Sequence, residues 1–183
     1  PNQDGFVKPG ELIEISPMQE LTLQDKRVLN LLIENAGTQI AADQWHEIAL
    51  LKLRGPRRKG SERVADSLKR LMTTLVEVPG PDINGLETIV TTVLLSENVR
   101  TINEDDPRSV LRYKFTGSLR EIVTKSQHWG RLKAHVLFAF SSKYAMALYE
   151  ALCLRINLRV SEQRFTVDEF RRLLDVPSGK LKE

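Results

Sequence analysis

Around residue 80 the apolar pattern of this chain changes period, and that change most restricts what it can fold into. Val64, Leu68, Leu71 and Leu75 fall at i, i+4, i+7 and i+11, one face of an amphipathic helix with Ser61 placed to cap it. Arg63, Asp66, Ser67 and Arg70 take the opposite face. Beyond the breaker group Pro79-Gly80-Pro81, the run Leu86 to Leu95 is rich in Thr, Val and Ile and predicts a strand. Val110 to Phe115 alternates as a second strand, and the polar stretch Ser96 to Ser109 between them, with Asn103, Asp105 and Pro107, predicts a loop joining antiparallel strands.

Upstream, Thr22 followed three residues later by Asp25 is a capping-box pattern. Val28, Leu29, Leu32 and Ile33 form one apolar face of the helix it opens, and Gly37 ends it. Gln39 to Ala41 can pair as a short strand, and Trp45, Ile48, Ala49 and Leu51 to Leu53 predict a second, shorter helix closed by Gly55-Pro56. The order helix, short strand, helix, basic turn, helix, strand, loop, strand is that of a winged helix-turn-helix, with the third helix in the recognition position and the loop as the wing.

A second unit follows. Ser118 to Glu121 is a further capping-box pattern, Leu132, Ala134, Val136, Phe138 and Phe140 alternate as a strand, and Ser142 to Arg155 is helical and apolar on nearly every side. Phe165 to Phe170 repeats the capping logic before a helix that Pro177 stops. The expected fold class is α+β: an N-terminal arm over residues 1–20, a winged-helix domain over 21–130, and over 131–183 a connecting strand with the first two helices of a second, truncated winged-helix unit. A length of 183 residues allows one domain or two small ones. The start at Pro1-Asn2 without methionine and the end in polar sequence suggest a fragment.

Composition narrows the function. Hydrophobic residues at 41% and charged residues at 28% exclude a wholly disordered or low-complexity chain, and no apolar run is long enough to span a bilayer. A single cysteine, Cys153, excludes a disulfide framework and fits a reducing compartment, and no secretory leader precedes Gly5. The formal net charge of +3 conceals a sharp asymmetry: residues 1–51 hold 3 basic against 8 acidic residues, whereas 52–72 hold 8 against 2. That short segment carries the concentrated positive potential.

The segment Arg54-Gly55-Pro56-Arg57-Arg58-Lys59-Gly60 places cations just before the amino end of a helix, whose free amides also favour phosphate. Arg54, Arg57, Arg58, Lys59, Arg63, Lys69 and Arg70 are therefore candidate DNA-binding residues, joined by Arg171 and Arg172 on the last helix. The plainer reading is a solvated turn, with Asp66 and Arg70 as an ordinary i,i+4 pair. The wing is acidic: Glu97, Glu104, Asp105 and Asp106 outnumber Arg100 and Arg108, so its tip repels phosphate or serves a protein contact.

Catalysis has little support. His46, His128 and His135 lack zinc-site spacing, and no phosphate-cradling glycine motif occurs. Cys153 lies in the apolar helix as a small hydrophobe, and the two tryptophans with Phe138 and Phe140 follow core periodicity. The expectation is a protein that is not an enzyme, with no catalytic residue, cofactor or metal.

Ser142-Lys143-Tyr144-Ala145 with Leu148-Tyr149-Glu150, then Phe165-Thr166-Val167-Asp168-Glu169-Phe170 through Pro177, resembles the start of the second winged-helix domain of iteron-binding replication initiator (Rep) proteins of bacterial plasmids. Leu21-Thr22-Leu23 through Asn30 is similar to the opening helix of their first domain. The resemblance implies an initiator that binds repeated sequences of double-stranded DNA at a plasmid origin, helps open them and recruits host replication proteins. It implies a homodimer through the first winged-helix domain, with backbone contact there and base reading by a second-domain helix that would lie beyond Glu183. It also implies a cytoplasmic, plasmid-associated bacterial protein without a membrane partner. In this reading the basic segment neutralises phosphates and positions the protein more than it specifies sequence. The alternative is a winged-helix dimerisation module, with Leu86–Leu95 and Val110–Phe115 pairing across the dimer, or a transcriptional repressor without origin recognition.

Overall fold

A computed structural model of the chain describes residues 5–55, 63–156 and 162–176. In chain order the elements are β1 (Phe6–Pro9), α1 (Gly10–Ile13), β2 (Ser16–Pro17), α2 (Leu23–Ala36), β3 (His46–Ala49), α3 (Leu50–Arg54), α4 (Val64–Thr73), β4 (Val76–Pro79), β5 (Ile89–Thr92), β6 (Leu95–Arg100), β7 (Val110–Phe115), α5 (Gly117–Lys125), β8 (Trp129–Leu132), α6 (Ala134–Leu137), α7 (Lys143–Arg155) and α8 (Val167–Leu173).

The capping box at Thr22 forms. Thr22 Oγ1 accepts from the Asp25 amide at 3.1 Å, and an Asp25 carboxylate oxygen accepts from the Thr22 amide at 2.8 Å. The helix this starts, α2, buries Val28, Leu29, Leu32 and Ile33 at the centre of the core. Leu50 and Leu53 of α3 and Val64, Leu68 and Leu71 of α4 close on it. Truncating any one of these leucines to alanine would cost about 2–5 kcal/mol through lost burial and the cavity left behind.

The three helices are backed by an antiparallel sheet of order β3-β7-β6, in register His46 to Tyr113 and Val99 to Arg112, and the loop 101–109 between β6 and β7 is the wing. In a second sheet, β4 and β5, which follow α4, pair with β2 from ahead of α2 in the order β2-β4-β5, and a third pairs β1 with β8. Gly130 permits that last closure: a Cβ there would lie 2.6 Å from Ile13 Cδ1 and 3.2 Å from the Leu154 amide nitrogen, so only glycine lets α1 and α7 approach β8.

Several expected elements are corrected. Gln39 to Ala41 is not a strand: a 3-10 turn occupies Gly37–Gln39, and the strand of this region is β3, expected as helix. His46 and Ile48 face the core while Glu47 faces out, so the segment from Trp45 to Leu53 divides into a strand and a short helix. Only Ile89–Thr92 of the run 86–95 forms β5, and Leu95 already belongs to β6. The wing loop is shorter than expected because the polar residues up to Arg100 form an edge strand held by main-chain pairing to β7. Alternation from Leu132 to Phe140 is not a strand, since pairing with β1 stops at Leu132 and Ala134–Leu137 coils as α6.

Three single residues differ too. Leu75 lies beyond α4 and is exposed. Thr116, not Ser118, caps α5, accepting from the Leu119 amide. Trp45 is half exposed beneath the Arg112 guanidinium rather than in the core, whereas Phe138 and Phe140 do pack against the core. Ser61, the expected cap of α4, lies outside the described residues.

Residues 1–20, expected as an arm, supply β1, α1 and β2, and the expected boundary at 130/131 falls inside β8. The capping box of α8 forms between Thr166 and Glu169, and Ser142 caps α7.

Candidate nucleic-acid interface

Helix α3 stops at Gly55, whose φ of 68° is in the left-handed region, and a Cβ there would lie 2.3 Å from the Phe138 ring. Conformation and space both demand glycine. The basic segment expected as a turn comes next in the sequence, and its residues Arg57, Arg58 and Lys59 lie outside the described residues. The chain re-enters at Arg63, the extended N-cap residue of α4, whose side chain makes no cap hydrogen bond.

The helix amides are instead capped from the wing. Glu104 accepts from the Val64 amide at 3.1 Å and from the Ala65 amide at 3.0 Å, one carboxylate oxygen on each. Its neighbour Asp105 accepts from Arg54 Nη1. Asn103 braces the tip, its side-chain oxygen accepting from the Asp105 amide at 3.0 Å and its carbonyl accepting from Ser109 Oγ. Asp106 pairs locally with Arg108 at 2.9 Å, and those hydrogen bonds hold its carboxyl below the usual carboxylate range. A cavity of about 260 Å³ opens beside these groups, lined among others by Arg54, Arg63, Arg100, Glu104 and Asp105. Glu104 thus caps the head of α4, where a negative charge is favoured, and Asp105 pairs with Arg54 beside it.

The other expected contacts divide. Lys69 and Arg63 are exposed along α4. Arg70 turns inward: Nε and Nη2 reach the two carboxylate oxygens of Asp25 at 2.7 and 2.8 Å, so its main partner is Asp25 on α2 rather than Asp66. Arg171 and Arg172 ride on α8, which packs against α7, with Arg171 3.7 Å from Asp168. The structure therefore groups Arg54 and Arg63 with Arg100, which the sequence does not single out. Charge complementarity between an acidic wing and the basic turn is the signal in the sequence that points to the wing contacts.

Chemistry elsewhere is quiet. Burial pushes the Cys153 thiol up, away from thiolate reactivity. Among the described residues no group of three or more His, Cys, Asp or Glu side chains is placed to hold a metal ion, and no helix is long and apolar enough to cross a membrane.

Three helices, a three-stranded sheet and a strand-loop-strand wing define the winged-helix class of nucleic-acid-binding folds. A family model described as "Initiator Replication protein, WH1" matches residues 6–153. The chain belongs to this family of replication initiators, whose role is plasmid replication initiation, and carries its first winged-helix domain. No curated protein matches the chain. Among solved structures it is similar to the crystal structure of the MSBI1.176 WH1 domain, a replication protein isolated from a multiple sclerosis patient, at 16% identity and a TM-score of 0.37 over 56% of this chain and 79% of that one.

Proposed function

We propose that this chain binds repeated sequences at a plasmid origin and self-associates to control initiation, with its first winged helix supplying contacts to the DNA backbone. The observation that carries the reading is the basic sequence Arg57-Arg58-Lys59, which falls between α3 and α4 along a chain of the initiator family. Arg63 and Lys69 of this region are exposed and add two cations. Such contacts neutralise phosphates whatever the sequence, so they position the protein while base reading falls to a second winged-helix unit.

Self-association has its own support. Strand β7 is flanked by β3 and β6 and has no edge to offer a second copy, which removes half of the dimer expected from Val110–Phe115. Strand β5 lies at the end of its sheet, next to exposed Ile83, Leu86 and Ile89. An open edge beside apolar side chains favours strand pairing between copies. Host replication proteins as partners and a bacterial cytoplasmic location complete the proposal.

Charge reversal at Arg57, Arg58 and Lys59 tests the DNA contact. Binding to every duplex should weaken, and the slope of log affinity against log salt should become shallower by about one for each phosphate that is no longer neutralised. An unchanged slope overturns the assignment.

A further inference from the structure

We propose that Asn84, at the tip of the hairpin joining β4 to β5, is a site of spontaneous modification: the Gly85 amide displaces ammonia from its side chain, and the acidic product weakens self-association through β5. The second half rests on the proposed self-association, whereas the modification stands on the chain's own chemistry.

The turn is built for this reaction. Asn84 and Gly85 have φ of 54° and 76°, and Ile83 and Leu86 exchange two main-chain hydrogen bonds of 3.0 Å around them, which makes a two-residue turn. Residues 81–87 are all exposed, and a Cβ built on Gly85 would meet nothing within 4 Å. Among the described residues, neither the Asn84 side chain nor the Gly85 amide has a hydrogen-bond partner. The other described asparagines differ on both counts. Asn30, Asn35, Asn98 and Asn103 each have a hydrogen-bonded side chain. They precede Leu31, Ala36, Val99 and Glu104, whose side chains crowd the amide nitrogen that would attack.

The reaction needs only water. The Gly85 nitrogen gives its proton to solvent base and bonds to Asn84 Cγ, the Cγ–Nδ2 bond breaks, and ammonia leaves as a succinimide ring closes. Water then opens the ring. Addition at Cγ gives aspartate, and addition at the main-chain carbonyl carbon gives isoaspartate, in which the backbone runs through Cβ. Proximity within the chain drives the first step. Attack requires Asn84 to leave the left-handed turn conformation, so the two bonds between Ile83 and Leu86 act as a brake, released by local opening of the tip.

Either product is acidic. The hairpin 76–92 already carries Glu77, Asp82 and Glu87 and no basic residue, so a new carboxylate adds to the like charge that two copies bring together at β5. Isoaspartate also lengthens the turn by a main-chain carbon, which the two-residue spacing between Ile83 and Leu86 does not accommodate.

The full chain, aged in warm, mildly alkaline buffer and mapped by mass spectrometry, should deamidate at Asn84 about tenfold faster than at Asn35, Asn98 or Asn103. The rate at Asn84 should rise further in urea, where the brake is gone, and isoaspartyl methyltransferase should label the peptide that contains residue 84. Sedimentation equilibrium should then show aged protein self-associating severalfold more weakly than fresh protein. Asn84→Gln, which closes the corresponding imide far more slowly, should keep its self-association on ageing. Deamidation at Asn84 no faster than at the other three asparagines overturns the site. Equal self-association by fresh and deamidated protein overturns its consequence. A monomer at every concentration, fresh or aged, overturns the self-association reading and that consequence with it, and the mass map alone then decides the site.

Discussion

His46 is buried in β3 with its ring 5.3 Å from Tyr113 and 5.9 Å from Phe115, and its Nε2 has no hydrogen-bond partner among the described residues. Burial therefore holds its pKa below the usual 6.5. The unfolded chain then binds the proton more readily than the folded one, so stability rises with pH between the folded and unfolded values. The contribution of His46 is complete above about pH 6.5 and is lost as pH falls below it. Urea denaturation from pH 7.5 to 5 should show this loss, and His46→Phe should flatten it; a wild-type curve level across that range refutes the account. Tyr113 opposite is pushed up to about 12 by the same burial, partly offset by the Asn35 side chain, and its hydroxyl donates to the Leu32 carbonyl at 2.6 Å. It stays neutral where His46 titrates. The spacing of the histidines argues against a zinc site, but the burial of His46 depends on register with β7, 67 positions away in the chain, which no local pattern contains.

At the scale of elements, the bond between α2 and α4 is the clearest case of one residue type serving a purpose its position does not suggest. Asp25 is fully buried, caps α2 and receives both arms of Arg70. Arg70→Ala strands that carboxylate and should cost about 2–3 kcal/mol, less than for a wholly buried pair because Arg70 itself is partly exposed. Arg70→Lys should recover only a fraction, since an ammonium cannot reproduce the two-pronged fit. Urea midpoints of the two variants test this, and near-wild-type stability of Arg70→Ala would show that the pair is incidental. Elements written in local chemistry are legible in the sequence: the caps at Thr22 and Thr166, the apolar face of α4, and strand β7. Those held by distant partners are not. Strand β6 is polar along its edge and reads as loop, and the alternation after Leu132 has no partner strand to satisfy it. The same division runs through the site, where the basic turn is plain in the sequence but the contacts of Arg70 and Glu104 span 45 and 39–40 residues.

Across the whole molecule, the two ends of the described chain are fastened through one buried network. Lys8 on β1 meets Glu150 on α7 at 2.8 Å, and Asn30 of α2 donates to the other carboxylate oxygen. Burial lowers the pKa of Lys8, and its pairing with Glu150 works against that shift. Both side chains are nearly inaccessible, so the gain from pairing is largely consumed by their desolvation, and the network contributes more to fixing which elements meet than to net stability. A double-mutant cycle exposes this. Lys8→Met and Glu150→Leu should each destabilise by about 3 kcal/mol, because each leaves a buried charge alone, while the double variant should regain most of that loss. Additive losses would mean that the two charges do not interact. Deleting residues 1–20 removes Lys8 and the strand that covers β8, leaving the Glu150 charge without its cation and a sheet edge open. The truncated chain should fail to give a cooperative thermal transition by circular dichroism, whereas a dispensable arm would leave the transition within a few degrees of wild type. A folded truncation would detach β1 and α7 from the winged helix and return the N-terminal segment to the role of an arm.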